Sequence, residues 1–360
     1  MEPLKEMFNK NFYNRFAAEF SKANKNFNAA QFVKDVTKDF EPLSLNERMR
    51  KTSHALKQHL PQDYKKAIEV MYKVIPNTQR GYTNLVFPDF VALYGHDDTD
   101  LSLEALKHFT TFGSSEFAIR EFLKRDFNKT IKVMQTWAKD KNAHVRRLAS
   151  EGSRPRLPWS FKLDEVIKNP KSTQSILETL KADEELYVRK SVANHLNDHS
   201  KDNTDFMLQL LKSWDKSNAH TAWIVKHASR SLIKKGNANS LALFDFEKNP
   251  KVNIQNFKIL TPKIKLGSNL EFVFDLSSEK NTKQKLVIDY IIHYQKKGKE
   301  LSAKVFKLKE LELKPKEKIS ISKKQMMKDF TTRKHFAGEH LLEIQVNGKV
   351  YGKEKFYLSV

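Results

Sequence analysis

Residues 142–159 read NAHVRRLASEGSRPRLPW. Val145, Leu148 and Ala149 fall at helical spacing, and the helix stops at Gly152 and at Pro155 and Pro158. Weaker copies follow: YVRKSVANHLND from Tyr187 and NAHTAWIVKHA from Asn218. Registering Val145 with Val188 and Thr221 gives offsets of 43 and 33 residues. That irregular spacing suits HEAT-like helix pairs better than a strict-period repeat. In this register Leu148/Ala149, Ser191/Val192 and Ile224/Val225 form the core stripe. Glu151, Asn194 and His227 each lie six residues past the register point. Six steps of about 100° set them beside the stripe, on the edge of each second helix.

Outward from this stretch, helical periodicity runs from the start to about residue 248. Leu101–Phe109, Phe117–Leu123, Ile131–Trp137, Val166–Leu180 and Phe206–Trp214 all space apolar residues by three and four. After about residue 250 the period becomes two. Leu270, Phe272, Phe274 and Leu276 alternate with other residues, as do Leu286, Ile288, Tyr290, Ile292 and Tyr294. Leu342, Ile344 and Val346 lead into Asn347-Gly348, a hairpin signal, and on to Val350 and Tyr351. The expected fold class is α+β multidomain. A HEAT-like helical repeat solenoid (1–250) precedes a small all-β immunoglobulin-like sandwich of roughly seven strands (251–360).

Composition narrows the function classes. The net charge is +22 over 360 residues, which points to a polyanion. Residues 251–360 carry +12 of it, leaving +10 for the longer first part, so both parts are expected to touch the same partner. With no Cys there are no disulfides, thiol catalysis or cysteine metal sites. Neither GxGxxG nor GxxxxGK occurs, which argues against a nucleotide-binding α/β domain. No apolar run approaches the roughly 18 residues of a membrane span, and MEPLKEMFNKNFY lacks the regions of a signal peptide. A cytoplasmic, monomeric protein without a cofactor or metal is expected. His195 and His199 have zinc-like spacing, but there is no HExxH motif to support them. Trp137, Trp214 and Trp223 read as core.

Arg146, Arg147, Arg154 and Arg156 surround one acid, Glu151. From residue types alone, Glu151 with Arg147 four positions earlier reads as a helical ion pair. Two classes stay open at this point: a non-enzymatic HEAT-like nucleic-acid-binding or scaffold protein, and an enzyme.

HVRRLASEGSRPRLPW, with YVRKSVANHLNDHSKD and AWIVKHASRSLIKKGN, resembles the AlkC branch of the HEAT-like-repeat DNA alkylation-repair glycosylases. The resemblance extends over most of the chain and includes an Ig-like C-terminal domain. It implies a monofunctional glycosylase that removes 3-methyladenine and 3-methylcytosine from duplex DNA without full base flipping. It also implies that Glu151 is the principal catalytic carboxylate and that Glu116, in SSEFAIREFL, is a second active-site acid. Arg147 would hold Glu151, and Arg154 and Arg156 would grip phosphates flanking the lesion. Trp159 would pack on a sugar or base, and Arg189, Asn194, His195, Asp198 and His227 would extend the DNA-binding surface. The expected partner is double-stranded DNA containing alkylated bases, met in the nucleoid.

Overall fold

A computed structural model describes residues 3–298, 300–330 and 334–360. The chain divides into two compact units, Met1–Ala228 and Ser229–Val360. The first is helical, and its helices contact mostly their near neighbours along the chain, as a solenoid core requires. The three sequence copies occupy helices Ala143–Gly152, Leu186–His199 and Ala219–Lys234. The repeated Asn is an N-cap. Asn142 Oδ1 accepts from the His144 amide at 2.8 Å and Asn218 Oδ1 from the His220 amide at 2.9 Å. All six residues of the expected stripe, Leu148, Ala149, Ser191, Val192, Ile224 and Val225, are buried.

The expected helix Val166–Leu180 is broken. Its residues form Asp164–Lys168, a 3-10 turn Pro170–Thr173 and Gln174–Leu180. Pro170 has no amide to donate and its ring blocks the preceding turn, so the periodicity runs through a break. Trp137 and Trp214 are core, whereas Trp223 is half-buried and stacks on His227 at 4.8 Å. No helix among the described residues is long and apolar enough to cross a membrane.

The second unit contains eight strands among the described residues: β1 (Val252–Ile259), β2 (Lys263–Lys265), β3 (Asn269–Ser278), β4 (Gln284–Gln295), β5 (Leu301–Leu313), β6 (Lys318–Met326), β7 (Gly338–Val346) and β8 (Lys349–Ser359). They form a three-stranded sheet, β1-β3-β6, and a five-stranded sheet, β2-β8-β7-β4-β5. Every pairing is antiparallel except β2 with β8. Strand β2 is the addition to the expected seven, and three residues are too few to show a period. The inward faces of β3, β4 and β7 meet in one core built on Phe272, Phe274, Ile288, Tyr290, Leu342 and Ile344. Asn347 (φ 47°) and Gly348 (φ 85°) turn β7 into β8. A Cβ on Gly348 would lie 2.0 Å from Gly236 Cα, so no other residue fits there.

Strand β4 breaks the alternation, because its outer face is buried too. Ile233, Leu241 and Phe246 pack on Val287 there. Asp289 shares that face and is 1% exposed. Burial pushes its carboxyl up to about 6 despite the attraction of Lys234 and Lys307. A raised carboxyl means the fold holds a proton that the unfolded chain has lost. The associated stability is therefore complete below about pH 4 and disappears as pH rises through about 6. Asp289→Asn should flatten that slope and raise stability at pH 7.5 by about 1–3 kcal/mol. Thermal melts of both proteins between pH 4 and 8 check this, and a variant less stable at pH 7.5 would contradict it.

Candidate active site

The helix Ala143–Gly152 presents two charged side chains one turn apart, Arg147 and Glu151, near its C-terminal end. The chain then turns through Ser153–Phe161 and returns to the next helix. Glu116 precedes helix Ala118–Arg125, and Asp198 lies near the end of helix Leu186–His199. The fold joins these four residues and Arg154 into one chain of ion pairs.

Arg147 Nη1 bonds Glu116 Oε2 and also donates to Ser114 Oγ at 3.0 Å. Its Nη2 lies 3.5 Å from Glu151 Oε1. Arg154 Nη1 donates to the same Oε1 at 2.7 Å, while its Nε donates to Asp198 Oδ2 at 2.8 Å. The order is thus Glu116, Arg147, Glu151, Arg154, Asp198, with each guanidinium shared by two carboxylates. Glu151 is 6% exposed. Both of its arginines are on Oε1; among the described residues Oε2 has no hydrogen-bond partner, and it is not among the sealed polar atoms.

Burial opposes the charge on Arg147, but Glu116 and Glu151 more than offset it and raise its pKa. Arg154 follows the same pattern, with Asp198 and Glu151 as the offsetting groups. Burial lifts the Asp198 carboxyl and Arg154 pulls it back. The Arg147 guanidinium also sits 5.0 Å from the Tyr187 ring centroid, a cation–π contact that orients it.

The remaining expected site residues are placed differently. Arg154, His195 and Asp198, expected on the DNA-binding surface, are buried. Arg154 is turned inward because two carboxylates compete for it more strongly than solvent does. His195 donates through Nδ1–H to the Ser150 carbonyl at 3.0 Å and stacks on His199 at 5.3 Å. Burial, then the His199 charge, lowers its pKa well below the usual imidazole range, so it is neutral. Arg156 lies farther out and is held bidentate by Asp202 at 2.5 and 2.6 Å. Arg189 donates to the Asp183 and Glu184 carbonyls and lies 5.9 Å from the Trp223 ring. Asn194 and His227 are half-buried. Trp159 is 84% exposed and left-handed (φ 64°), an unusual conformation for a bulky side chain. It rims a cleft of about 470 Å³ whose wall includes Ser114, Arg50, Asp89, Phe117 and Phe161.

Sequence reasoning missed Ser114 and Arg120. Ser114 bonds both Glu116 and Arg147. Arg120 is fully buried and reaches the turn after Glu151. A polar residue beside a Gly and an Arg between Ile119 and Glu121 give no local sign of these roles. Only the tertiary approach of the Ala118–Arg125 helix reveals them.

A helical-repeat unit with a buried carboxylate–arginine chain, followed by an Ig-like sandwich, defines a recognisable class. The family model described as "DNA alkylation repair enzyme" matches residues 102–232, and "Uncharacterised protein YhaZ, C-terminal Ig-like domain" matches residues 253–360. The chain belongs to the AlkC family of DNA alkylation repair enzymes. It is similar end to end to the Pseudomonas fluorescens alkylpurine DNA glycosylase AlkC, solved bound to DNA containing an abasic site analog. The two share 45% identity and a TM-score of 0.95, over 100% of both chains. It is also 38% identical over 351 residues to the uncharacterized protein YhaZ of Bacillus subtilis (strain 168), covering 97% of this chain and 98% of that one.

Proposed function

We propose that this chain is a monofunctional DNA glycosylase that releases cationic alkylated bases, 3-methyladenine and 3-methylcytosine, from duplex DNA and leaves an abasic site. One observation carries the reading. Glu151 has one oxygen fixed by two arginines and the other open, within a bonded chain of three carboxylates and two guanidiniums. The formal charge of that chain is −1, inside a protein of +22. A protein that only gripped phosphates would gain nothing from a fixed negative centre. One that must also receive a cationic nucleotide gains attraction at that one point. Membership of the AlkC family and the likeness to a relative named as an alkylpurine DNA glycosylase support the same reading.

The chemistry asks little else of the protein. A methylated base already carries positive charge and leaves readily. As the N-glycosidic bond breaks, positive charge develops on the deoxyribose, and Glu151 Oε2 stabilises that oxocarbenium-like state. The same oxygen orients or deprotonates the water that attacks the anomeric carbon. Arg147 and Arg154 keep the carboxylate from swinging, and Glu116 with Ser114 fixes Arg147 in turn. Arg156 and Trp159, toward the exposed end of the turn, would meet a flanking phosphate and a sugar or base, a reading that their exposure supports.

Incubating the protein with DNA methylated by dimethyl sulfate as single strands and then annealed, and identifying the free bases by mass, tests the proposal. Release of 3-methyladenine and 3-methylcytosine with intact strands is expected. Tight binding with no released base would instead make the chain a non-enzymatic DNA-binding protein.

A further inference from the structure

Arg120 is 0% exposed, and no carboxylate among the described residues bonds it. Its Nη1 donates to the Gly152 carbonyl at 3.0 Å and the Arg154 carbonyl at 2.6 Å, and its Nη2 donates to the Phe161 carbonyl. Its guanidinium lies 5.3 Å from the Phe161 ring centroid, and its Nε has no partner. Burial, then the neighbouring Arg154 charge, lower its pKa to about 10. The Asp198, Glu116 and Glu151 carboxylates act on it only from a distance. A sealed guanidinium without a bonded counter-ion is costly, and an apolar residue of similar volume would serve packing alone at least as well.

The three carbonyls say where that cost is used. Gly152 is the last residue of the helix that carries Glu151, and Phe161 lies beyond Trp159, at the far end of the turn. The third carbonyl belongs to Arg154, whose side chain holds Glu151 Oε1. Helix C-terminal carbonyls lack intrahelical partners, and a cation there completes them. One guanidinium therefore fixes the helix end, the backbone of the residue that grips Glu151, and the far end of the loop.

We propose that Arg120 is a positioning residue for base release: it sets the backbone from Gly152 to Phe161 so that Arg154 holds Glu151 with its second oxygen open. This rests on the glycosylase reading above. Arg120 makes no contact with DNA in this account, so its loss should lower the rate of the chemical step and leave DNA binding alone.

The test uses the full chain. Single-turnover base release from dimethyl sulfate-treated duplex DNA and affinity for undamaged duplex are measured for wild type, Arg120→Lys and Arg120→Gln. Arg48→Lys is the control. Arg48 is also fully buried and donates to backbone carbonyls, among them those of Phe8 and Phe40, and it pairs with Glu6 and Glu41 and with no member of the ion-pair chain among the described residues. Melting temperatures establish that each variant is folded.

We expect a rate loss of about 30-fold or more for Arg120→Gln, a smaller loss for Arg120→Lys, and affinities within about threefold of wild type. Arg48→Lys should keep the wild-type rate. Unchanged rates in folded Arg120 variants would overturn the inference, as would a parallel fall in affinity or an equal rate loss in Arg48→Lys. If neither Arg120 variant folds while Arg48→Lys does, the residue serves the fold and the inference also fails. A wild-type protein that releases no base fails the glycosylase reading itself, so the two failures are distinguished by the first arm.

Discussion

Glu151→Gln should reduce single-turnover base release from methylated duplex DNA by about two to three orders of magnitude, while affinity for DNA stays equal or increases. The amide oxygen of Gln can still accept from Arg147 and Arg154, so the packing around Oε1 survives. What disappears is the negative charge facing the sugar. At a distance of a few ångströms and an intermediate effective dielectric, that charge is worth on the order of 3–4 kcal/mol to a developing cation, which sets the size of the rate loss. The direction of the affinity change follows from sign. Phosphates are repelled by Glu151, and the variant removes that repulsion from a protein already at +22. Gel-shift affinities and released-base kinetics on the same DNA check both halves. Undiminished release would remove Glu151 from the chemistry. A parallel loss of affinity would assign it to binding.

How much of this was legible in the sequence depended on whether the signal was local. The repeat register placed six stripe residues that are all buried, because a helical period of 3.6 converts directly into a face. The hairpin at Asn347-Gly348 was legible for a similar reason, since the two residue types tolerate positive φ. The Arg147–Glu151 contact followed from i,i+4 spacing. The Pro170 break was overlooked because apolar spacing continues across it.

The role of Arg154 could not be read at all. Its position past the helix end fits a phosphate contact as well as an inward ion pair. Its partner Asp198 lies 44 residues away in sequence. His195 was similarly ambiguous: its register marks a helix face, but which neighbours cover that face is tertiary information. Arg120 and Ser114 gain their meaning only from approach across 30 residues or more.

Asp198 supports the second large effect. Asp198→Ala should cost about 3 kcal/mol of stability and also slow base release, whereas Asp198→Asn should retain most of the stability. The physical argument turns on what is left behind. Arg154 is buried and spends its Nε on Asp198 and its Nη1 on Glu151. Alanine leaves that Nε without an acceptor in a buried site. The penalty is then the desolvation of half a guanidinium, not the net value of the ion pair. That net value is small, since burial lifts the Asp198 carboxyl even with Arg154 beside it. Asparagine supplies a neutral oxygen at the same distance, so Nε stays satisfied. It nevertheless changes the formal charge of the bonded chain from −1 to 0, and a rate loss of about tenfold is expected from the weaker hold on Arg154 and Glu151. Urea denaturation at neutral pH, with single-turnover assays of both variants, separates the two contributions. A stability loss below about 1 kcal/mol in Asp198→Ala would mean that Arg154 finds another partner or reaches solvent, and the ion-pair chain would then not be the element that fixes Glu151.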